Sequence, residues 1–472
     1  MHSLVMKFGG TSVGSSEALV QAAAIVQEQA GLQERLIVVV SAMSGVTDSL
    51  IRGARTAASG DDQSYRGIVT ELRVLHYRAV DALSLTDAER TQLLAAVDEY
   101  LDEFSAFCHS VYILGEATAR AMDAITSLGE RINARIMAAL LRQGGLRSEA
   151  VDATDLIVTD DTFQNAVPLR DATRIQVSER LVPLLAEDVV PVVTGFIGAT
   201  EGGITTTLGR GGSDFSAAIL GDCLDADEVW TWTDVDGVMT ADPRMVPEAR
   251  VIPTLSYSEV SELAYFGAKV LHPRTIRPVI ERGIPLWVKN TFNPRTPGTC
   301  ITRESESTPG TVKAVTAIMG LSLVTVEGRG MMGVPGIAAR TFSAVASQGA
   351  SVLMISQSSS EQSICFVIPT EAVPPVIESI EEELVLELSR RDVDRVWSLD
   401  DVVIVSAVGT GIRGTPGVAH RIFSALGEGG INVTAIAQGS SECSISLVVE
   451  ADAAADAVQM IHRQVLLNNG TA

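Results

Sequence analysis

The last third of the chain contains a sequence repeat, and this repeat constrains the fold more than any other feature. Gly330-Met-Met-Gly-Val-Pro-Gly336 returns as Gly411-Ile-Arg-Gly-Thr-Pro-Gly417, and the Gln357-Ser-Ser-Ser-Glu turn returns as Gln438-Gly-Ser-Ser-Glu, both 81 residues later. Each copy has the pattern strand, Pro-Gly turn, amphipathic helix (337–347 and 418–428), strand, polar turn, strand, helix.

Two small α+β units of this kind are expected to bury their faces against each other. The gap between such units can hold a small ligand. A dimerisation module that binds no ligand is the alternative.

A glycine loop in the middle of the chain is the second constraint. The stretch 207–216, Thr-Leu-Gly-Arg-Gly-Gly-Ser-Asp-Phe-Ser, follows a short polar strand and precedes an Ala-rich helical pattern. Free amides and the dipole of a helix N-terminus favour an anion, and Gly211 and Gly212 let the backbone approach a ligand. Arg210 adds a cation and Asp214 an anion. The loop therefore suits a site that holds a phosphate and an amino acid together; an ordinary N-cap made by a loop side chain is the alternative.

The first fifty residues indicate a parallel sheet. Two apolar strands, 3–8 and 36–40, each lead into a turn and then a helix. The first turn begins at Lys7 and the second at Ser41. Ligands of parallel sheets bind beyond the carboxyl ends of the strands, so both turns are candidates for the same site.

Size and charge exclude several classes of protein. A length of 472 residues suggests about three domains. The net charge of −23 argues against binding to nucleic acid or to anionic membranes. The five cysteines are scattered without a CxxC pair, and neither a signal peptide nor an apolar run of transmembrane length is present. We therefore expect a cytoplasmic protein with free thiols.

Lysine is scarce in this chain. Lys7, Lys269, Lys289 and Lys313 are the four lysines among 35 basic residues. In a chain that otherwise uses arginine, a lysine is a candidate for a position that needs a compact point charge.

Two further segments carry polar groups at the ends of predicted elements. Trp232-Thr-Asp-Val-Asp-Gly237 is a strand that ends in a loop rich in oxygen ligands, which suits a nucleotide or Mg²⁺; an ordinary cluster of turns is the alternative. Phe266-Gly-Ala-Lys-Val-Leu-His-Pro273 places a lysine at a turn before a helix.

These segments together resemble the aspartate kinase family. The motifs that carry the resemblance are Lys7-Phe-Gly-Gly-Thr-Ser12, Leu208-Gly-Arg-Gly-Gly-Ser-Asp214, Trp232-Thr-Asp-Val-Asp-Gly237 and Phe266-Gly-Ala-Lys-Val-Leu-His-Pro273. The resemblance covers essentially the whole chain. It implies an α/β fold: a three-layer α/β/α amino acid kinase domain followed by two α+β, ferredoxin-like ACT domains.

The resemblance also implies a domain order. We expect the kinase domain at 1–303, a linker at 304–314, and the ACT domains at 315–397 and 398–472. The turns at Gln357 and Gln438 most resemble the kinase portion of the bifunctional aspartokinase–homoserine dehydrogenases. The dehydrogenase half is absent from these residues, which implies a monofunctional enzyme.

The activity implied by the resemblance is transfer of the γ-phosphoryl group of ATP, with Mg²⁺, to the side-chain carboxylate of L-aspartate. The product is 4-phospho-L-aspartate, at the first step of lysine, threonine and methionine biosynthesis. The family's catalytic positions fall on Lys7, Asp214 and Lys269. Its aspartate-binding positions fall on Ser41, Thr47, Glu130 and Arg210. Its ATP-binding positions fall on Lys7, Gly9, Gly10, Gly211, Gly212, Thr233, Asp234, Met239, Arg244 and Lys269.

Some details of the resemblance are specific to this chain. Asp214 is expected to orient Lys7 or the amino acid. Met239 stands where the family has tyrosine, which leaves base stacking at that position open. No metal ligand is assigned, and Mg²⁺ is expected to bind mainly to the phosphates. The ACT pair implies feedback by an amino acid, threonine first and lysine second, at Gln357 and Gln438, and a homodimer or homotetramer formed through the ACT domains.

Two rival functions stay open. A related kinase for glutamate, acetylglutamate or a nucleotide would share the glycine loops but is not expected to carry the C-terminal repeats. A catalytically inactive amino-acid sensor is the other, and the intact catalytic motifs argue against it. A dehydrogenase is excluded because no GxGxxG motif follows the first strand.

Overall fold

The computed structural model describes residues 2–267, 271, 273–304, 311–357, 362–412, 414–439 and 443–467. The chain divides into two compact units. The first contains the described parts of Met1–Val238, Val251–Tyr257 and Val270–Ser305. The second contains those of Met239–Arg250, Ser258–Lys269 and Glu306–Ala472. The predicted domain boundaries stay a prediction, although two segments of the predicted kinase domain group with the second unit.

The described elements alternate between strands and helices along most of the chain. The strands are β1 (Ser3–Phe8), β2 (Arg35–Val40), β3 (Ser148–Val151), β4 (Val158–Thr159), β5 (Val190–Thr194), β6 (Ile197–Thr200), β7 (Thr205–Thr207), β8 (Glu228–Thr233), β9 (Thr254–Ser256), β10 (Leu286–Asn290), β11 (Thr299–Thr302), β12 (Ala314–Glu327), β13 (Met354–Gln357), β14 (Ser363–Pro369), β15 (Arg395–Val408), β16 (Ala435–Ala437) and β17 (Ser444–Glu450). The helices are α1 (Ser16–Ala30), α2 (Val46–Ala58), α3 (Asp62–Asp81), α4 (Asp87–Leu114), α5 (Ala119–Thr126), α6 (Leu128–Gln143), α7 (Arg170–Ala186), α8 (Gly212–Cys223), α9 (Tyr257–Tyr265), α10 (Pro273–Arg282), α11 (Ile337–Ser347), α12 (Val373–Glu383), α13 (Val385–Arg390), α14 (Val418–Glu428) and α15 (Ala454–His462). None of these helices is long and apolar enough to cross a membrane.

An eight-stranded sheet organises the first unit. Its strand order is β3-β5-β2-β1-β8-β10-β11-β9, and the pairs of β1 with β2 and with β8 are parallel. The antiparallel pair is β10 with β11. A second sheet, β4-β6-β7, has three strands. Because β1, β2 and β8 run in the same direction, their carboxyl ends and the loops that follow lie along one edge of the main sheet.

Alternation along β1 assigns its side chains to two helical layers. Leu4, Met6 and Phe8 pack into a core that also contains buried residues of α1, α2, α3, α4 and α6. Lys7 lies between two of these residues in sequence, so it points to the opposite face, which α8 covers. The predicted three-layer α/β/α arrangement is confirmed, and it places Lys7 on the α8 side.

The second unit repeats its structure with the 81-residue offset of the sequence. Strand β15 begins and ends 81 residues after β12, as α14 does after α11 and β17 after β14. The predicted helices at 337–347 and 418–428 are confirmed at both ends. The two copies do not pack face to face, however. They share one six-stranded sheet, β13-β14-β12-β15-β17-β16, in which β12 and β15 pair antiparallel.

The outer strands of this six-stranded sheet approach each other. Met354 of β13 belongs to an apolar cluster that also includes Val448 of β17 and the partly buried Ala435 and Ala437 of β16. The two edge strands therefore converge on one face, although they lie at opposite ends of the strand order. The second halves of the two repeats thus meet beside this cluster.

A buried ion pair links three segments of the second unit. The Glu259 side chain is 0% exposed, and its carboxylate lies 3.0 Å from Nζ of Lys313. The same carboxylate accepts hydrogen bonds from the backbone N–H and the hydroxyl of Thr410, both at 2.8 Å. Glu259 of α9 is therefore joined both to the start of the first repeat, at Lys313, and to Thr410, two residues after the end of β15.

Replacement of Lys313 by methionine is expected to destabilise the second unit. Removal of one member of a buried pair leaves an uncompensated charge, which costs about 3–5 kcal/mol. Urea titration followed by circular dichroism measures the loss. Arg329 pairs with Asp394 at 3.6 Å with its side chain 89% exposed, so Arg329→Met is the control and should change stability by less than about 0.5 kcal/mol. Equal effects of the two substitutions would contradict the prediction.

Candidate active site

A cavity of about 730 Å³ opens beyond the carboxyl ends of β1, β2 and β8. Its walls come from the turns after these strands, from the glycine loop before α8, and from the first turns of α2 and α6. Eleven of the sequence-predicted site residues line it: Lys7, Gly9, Gly10, Ser41, Thr47, Glu130, Arg210, Gly211, Gly212, Asp214 and Thr233. The βα layout explains this convergence, because segments far apart in sequence end at one edge of the sheet.

The glycine loop enters α8 through a left-handed residue. Gly211 has a φ of 71°, which favours glycine, and no side chain caps the helix. At Gly212 a Cβ atom would lie 2.7 Å from the Phe196 ring, so the loop packs too tightly for a side chain there. The structure therefore favours an open helix N-terminus over the ordinary N-cap that the sequence left as an alternative.

Four glycines among the predicted ATP-binding positions, Gly9, Gly10, Gly211 and Gly212, could offer backbone N–H groups to a phosphate, and two of these N–H groups are engaged within the fold. The Gly9 N–H donates to the Trp232 carbonyl at 3.1 Å, and the Gly212 N–H donates to the Gly209 carbonyl at 2.9 Å. For Gly10 and Gly211, no such backbone acceptor is found among the described residues. A phosphate cradle in this cavity would therefore depend on Gly10 and Gly211, with Gly9 and Gly212 shaping the backbone around them.

An ion pair between a buried lysine and a partly buried aspartate joins strand β1 to helix α8. Lys7 Nζ is 2.7 Å from Oδ1 of Asp214, with side chains 9% and 17% exposed. Lys7 comes from β1 and Asp214 from the first turn of α8, so the pair forms only when the sheet and the helix pack together. Of the two partners expected for Asp214, this geometry favours Lys7. A lysine held in this way presents a fixed positive charge to the cavity.

Glu130 is a buried carboxyl at the base of the cavity. It lies in the first turn of α6 and is 3% exposed. Burial raises the pKa of Glu130 from 4.5 to about 8, and backbone hydrogen bonds oppose this shift. Oε2 has no hydrogen-bond partner among the residues that the structure describes. A buried carboxylate with an unfilled acceptor is suited to a ligand that brings its own cation.

The remaining wall of the cavity carries polar side chains and an exposed cation. Arg210 is exposed at the glycine loop. Ser41 follows β2, and its carbonyl accepts a hydrogen bond of 2.6 Å from Asn133 of α6. Thr47 lies in the first turn of α2, which begins after Gly45 in a left-handed conformation. The cavity thus combines cations, a buried acid and three helix N-termini, those of α2, α6 and α8.

Several predicted residues are not part of this lining. Asp234 is exposed and accepts a hydrogen bond from the Thr233 hydroxyl at 3.1 Å. Met239 and Arg244 belong to the second unit, where Arg244 pairs with Asp242 in its own turn. Lys269 lies outside the described residues. The nucleotide-binding roles of these four residues stay predictions.

The two predicted effector residues lie in the second unit. Gln357 ends β13 and Gln438 directly follows β16, and both are exposed. They occupy equivalent positions in the two repeats, at the ends of the two strands that approach each other. Their role in effector binding is a prediction that the geometry leaves untested.

The scarcity of lysine does not identify site residues by itself. Lys7 lines the cavity, but Lys313 forms the pair with Glu259. Lys289 lies over three indole rings, with Nζ 4.8 Å from the ring centre of Trp230 and 5.2 Å from that of Trp287. Such aromatic faces stabilise an ammonium group. At least two of the four lysines therefore have structural surroundings away from the cavity.

Asp123 is a cavity residue that the sequence analysis missed. It lies on α5, is 1% exposed, and accepts hydrogen bonds from Gln164 and Thr207. Burial raises the pKa of Asp123, although these bonds act in the opposite direction. Asp123 lies on α5 and Glu130 on α6, so no spacing along one helix relates the two acids, and the sequence carries no local signal for Asp123.

Comparison with protein families identifies both parts of the chain. Residues 3–290 match the amino acid kinase family, and residues 324–384 and 405–465 each match an ACT domain. The two ACT matches are offset by the same 81 residues as the sequence repeat. The fold class and the resemblance inferred from sequence are thereby confirmed.

Curated relatives and solved structures agree with these families. Bifunctional aspartokinase/homoserine dehydrogenase 1 of Arabidopsis thaliana is 40% identical over 99% of this chain, which spans 51% of that relative. Aspartokinase 1 of the same plant is 33% identical over 97% of this chain and 79% of its own length. The chain therefore spans about half the length of the bifunctional relatives that it matches.

Among solved structures, E. coli aspartokinase III is similar over nearly all of the chain. Its complex with aspartate and ADP has a TM-score of 0.80 and 29% identity, covering 98% of this chain and 100% of that one. Its complex with lysine and aspartate has the same TM-score at 28% identity, covering 98% and 99%. With a family match over residues 3–290 and relatives of this coverage, the chain belongs to the amino acid kinase family, in its aspartokinase branch, and carries two ACT domains.

Proposed function

We propose that the chain is an aspartate kinase that phosphorylates the side-chain carboxylate of L-aspartate with ATP, giving 4-phospho-L-aspartate. This reaction begins the biosynthesis of lysine, threonine and methionine. The observation that carries the proposal is the single cavity into which Lys7, Asp214, Glu130 and Arg210 converge. Family membership and a relative solved with aspartate and ADP support the same reaction.

Each part of the substrate has a complementary group in the cavity. The Glu130 carboxylate, buried with an unfilled acceptor, would receive the ammonium group of aspartate. Arg210 would hold a carboxylate of aspartate, and Ser41 and Thr47 would line the same pocket. Discrimination against uncharged amino acids then follows, because a ligand without the second carboxylate leaves Arg210 without its anion.

The residues of this chain catalyse phosphoryl transfer by position and charge. Lys7 would stabilise the negative charge that is shared among the phosphoryl oxygens, and Asp214 fixes Lys7 in place through the 2.7 Å contact. A carboxylate nucleophile carries no proton, so the reaction requires no general base. Holding the two anions in line is therefore the main task of the cavity.

The nucleotide is expected to lie along the glycine loop. Gly10, Gly211 and the N-terminus of α8 fit a phosphate group, and a cavity of about 730 Å³ is large enough for a triphosphate beside an amino acid. The family resemblance assigns Gly9, Gly212, Thr233, Asp234, Met239, Arg244 and Lys269 to nucleotide binding as well. Mg²⁺, bound mainly through the phosphates, would neutralise part of their charge, and it needs only one or two carboxylates from the protein.

Hydroxylamine trapping tests the function directly. The chain is incubated with ATP, Mg²⁺ and a panel of amino acids, and acyl phosphates are converted to hydroxamates. We expect the aspartyl hydroxamate and none from glutamate or acetylglutamate. A hydroxamate from another acid would indicate a related kinase, and no hydroxamate from any acid would indicate an amino-acid sensor or a nucleotide kinase.

Feedback by an end-product amino acid is proposed for the ACT pair. Threonine is the first candidate and lysine the second; the lysine complex of E. coli aspartokinase III supports an amino acid as effector in this branch. Gln357 and Gln438 would contact it. We further propose that the chain forms a homodimer or homotetramer through the ACT domains, and light scattering would measure this oligomeric state. We also propose a cytoplasmic location.

Substitution of the repeat glutamines should weaken inhibition without lowering basal activity. We expect Gln357→Ala or Gln438→Ala to raise the half-inhibitory threonine concentration by about tenfold, in the usual range of coupling energies. Glu371→Gln, an exposed change between β14 and α12, is the control. If saturating threonine and lysine both leave the wild-type rate and apparent affinities unchanged, the regulatory proposal fails.

A further inference from the structure

Asp123 connects two separate segments of the cavity wall through both of its carboxylate oxygens. The backbone N–H of Gln164 donates to Oδ1 and Oδ2 at 3.1 and 2.9 Å. The backbone N–H of Thr207 donates to Oδ2 at 3.0 Å, and the Thr207 hydroxyl donates to Oδ1 at 2.7 Å. The carboxylate is therefore used entirely as an acceptor within the protein.

Both partners of Asp123 adjoin the loop that carries Arg210. Thr207 is the last residue of β7, three residues before Arg210, and its carbonyl accepts a hydrogen bond of 2.9 Å from Ala166. On the other side, a Cβ atom on Gly209 would lie 2.9 Å from Oδ1 of Asn165 and 3.1 Å from the Gln164 carbonyl. The loop thus rests on segment 164–166, and Asp123 holds both together.

The loop itself has few means of fixing its own conformation. Gly209 and Gly211 have φ values of 78° and 71°, and glycine has more conformational freedom to lose than any other residue. Arg210 between them is exposed, and no ion pair to it is found within the described part of the chain. A well-defined position for Arg210 must therefore come from the base of the loop.

We propose that Asp123 is a positioning residue for substrate binding: it fixes the Arg210 loop, and so determines the affinity for the carboxylate that Arg210 receives. This inference rests on the proposed function, in which that carboxylate belongs to L-aspartate. Asp123 acts through the loop and does not transfer the phosphoryl group. Its loss should therefore weaken aspartate binding far more than it slows turnover.

Asp123→Asn is the direct test. The amide keeps one acceptor oxygen and turns an NH₂ group toward backbone N–H donors, so at least one of the hydrogen bonds is lost. We expect the KM for aspartate to rise about tenfold or more, with kcat and the KM for ATP within about threefold of wild type. Calorimetric titration with L-aspartate should give the same loss of affinity.

A milder variant and a control variant distinguish a local effect on the loop from a general loss of folding. Thr207→Val removes one hydrogen bond at nearly constant volume, and should raise the KM for aspartate about threefold or more. Asp160 also accepts backbone N–H groups of the same 160–168 segment, from Thr162 and Val167, but does not line the cavity. Asp160→Asn should leave the KM for aspartate within about twofold. Thermal melts confirm that each variant is folded.

The outcomes separate this inference from the proposed function. If the wild type forms aspartyl hydroxamate and folded Asp123→Asn and Thr207→Val bind aspartate normally, the inference alone is overturned. A large fall in kcat with an unchanged KM, or an effect on ATP alone, also overturns it. A wild-type chain that neither binds aspartate nor forms the hydroxamate overturns both.

Discussion

Replacement of Lys7 by methionine is expected to lower kcat by about 10³-fold, the scale seen when one preorganised stabiliser of transition-state charge is removed. Lys7 is the buried cation of the cavity, and its charge is fixed by Asp214 at 2.7 Å. Methionine keeps the apolar volume but removes the charge, and it leaves Asp214 as an unpaired, partly buried anion close to the proposed phosphate site. Both consequences disfavour a second anion in the cavity.

Steady-state hydroxamate assays with circular dichroism as a check on folding measure this effect. Lys7→Arg should not restore full activity, because a planar guanidinium does not fit the site of a compact ammonium. Lys289→Met is the matched control, since Lys289 is a half-buried lysine that does not line the cavity. If Lys7→Met retains more than about a tenth of wild-type kcat, Lys7 is not the main charge stabiliser.

Replacement of Glu130 by glutamine is expected to raise the KM for aspartate about 100-fold, as expected when a buried charge loses its charged partner. The amide has the same shape but cannot neutralise the substrate ammonium. Glu17→Gln is the matched control, because Glu17 is also a first-turn carboxylate, on α1, but it is exposed. It should leave the KM for aspartate within about twofold.

The raised pKa of Glu130 gives this prediction a pH dependence. In the empty cavity the carboxyl is largely protonated below its pKa of about 8. Binding of an ammonium group requires the ionised form, so a proton is released, and the apparent affinity for aspartate should rise up to tenfold per pH unit below that pKa. The rise should end near pH 8 and be absent in Glu130→Gln. An unchanged slope in this variant would contradict the assignment.

The raised pKa of Glu130 also makes the stability of the fold depend on pH. Most acids in folded proteins have a lowered pKa and add stability as the pH rises, whereas Glu130 should do the opposite. A carboxyl whose pKa is about 8 when folded and 4.5 when unfolded binds more protons in the folded state between these values. Stability is therefore lost as the pH rises through this window. Glu130→Gln should melt at a higher temperature than wild type at pH 8 and show little gain near pH 4. The binding site is thus maintained at a cost in stability.

Much of the fold could be predicted because its local signals agree. The helix expected after the first turn is α1, and Ser15 caps it by accepting a hydrogen bond of 3.2 Å from the Ala18 N–H. The repeat helices begin where Gly336 and Gly417 adopt φ values of 93° and 90°, directly after Pro-Gly turns. Turn chemistry, apolar periodicity and the repeat offset all indicate the same boundaries at these positions.

The rest depended on long-range packing, which a single sequence does not reveal. Asp123 is one acid among 58 acidic residues, and its partners at 164 and 207 become neighbours only in the folded chain. The engagement of the Gly9 and Gly212 amides depends on carbonyls that only the tertiary structure brings close. The grouping of 239–250 and of the described residues 258–267 with the second unit likewise follows from contacts, and no change of composition marks it.

The antiparallel ladder between β12 and β15 has a consequence for attempts to dissect the chain. These strands are 14 residues each and lie at the centre of the six-stranded sheet. Cutting the chain between the repeats would make β12 and β15 long, apolar edge strands, each with unpaired backbone groups along one side. Exposed edge strands of this kind promote pairing between molecules. A fragment carrying one repeat should therefore form aggregates, so the pair is the smallest piece worth expressing.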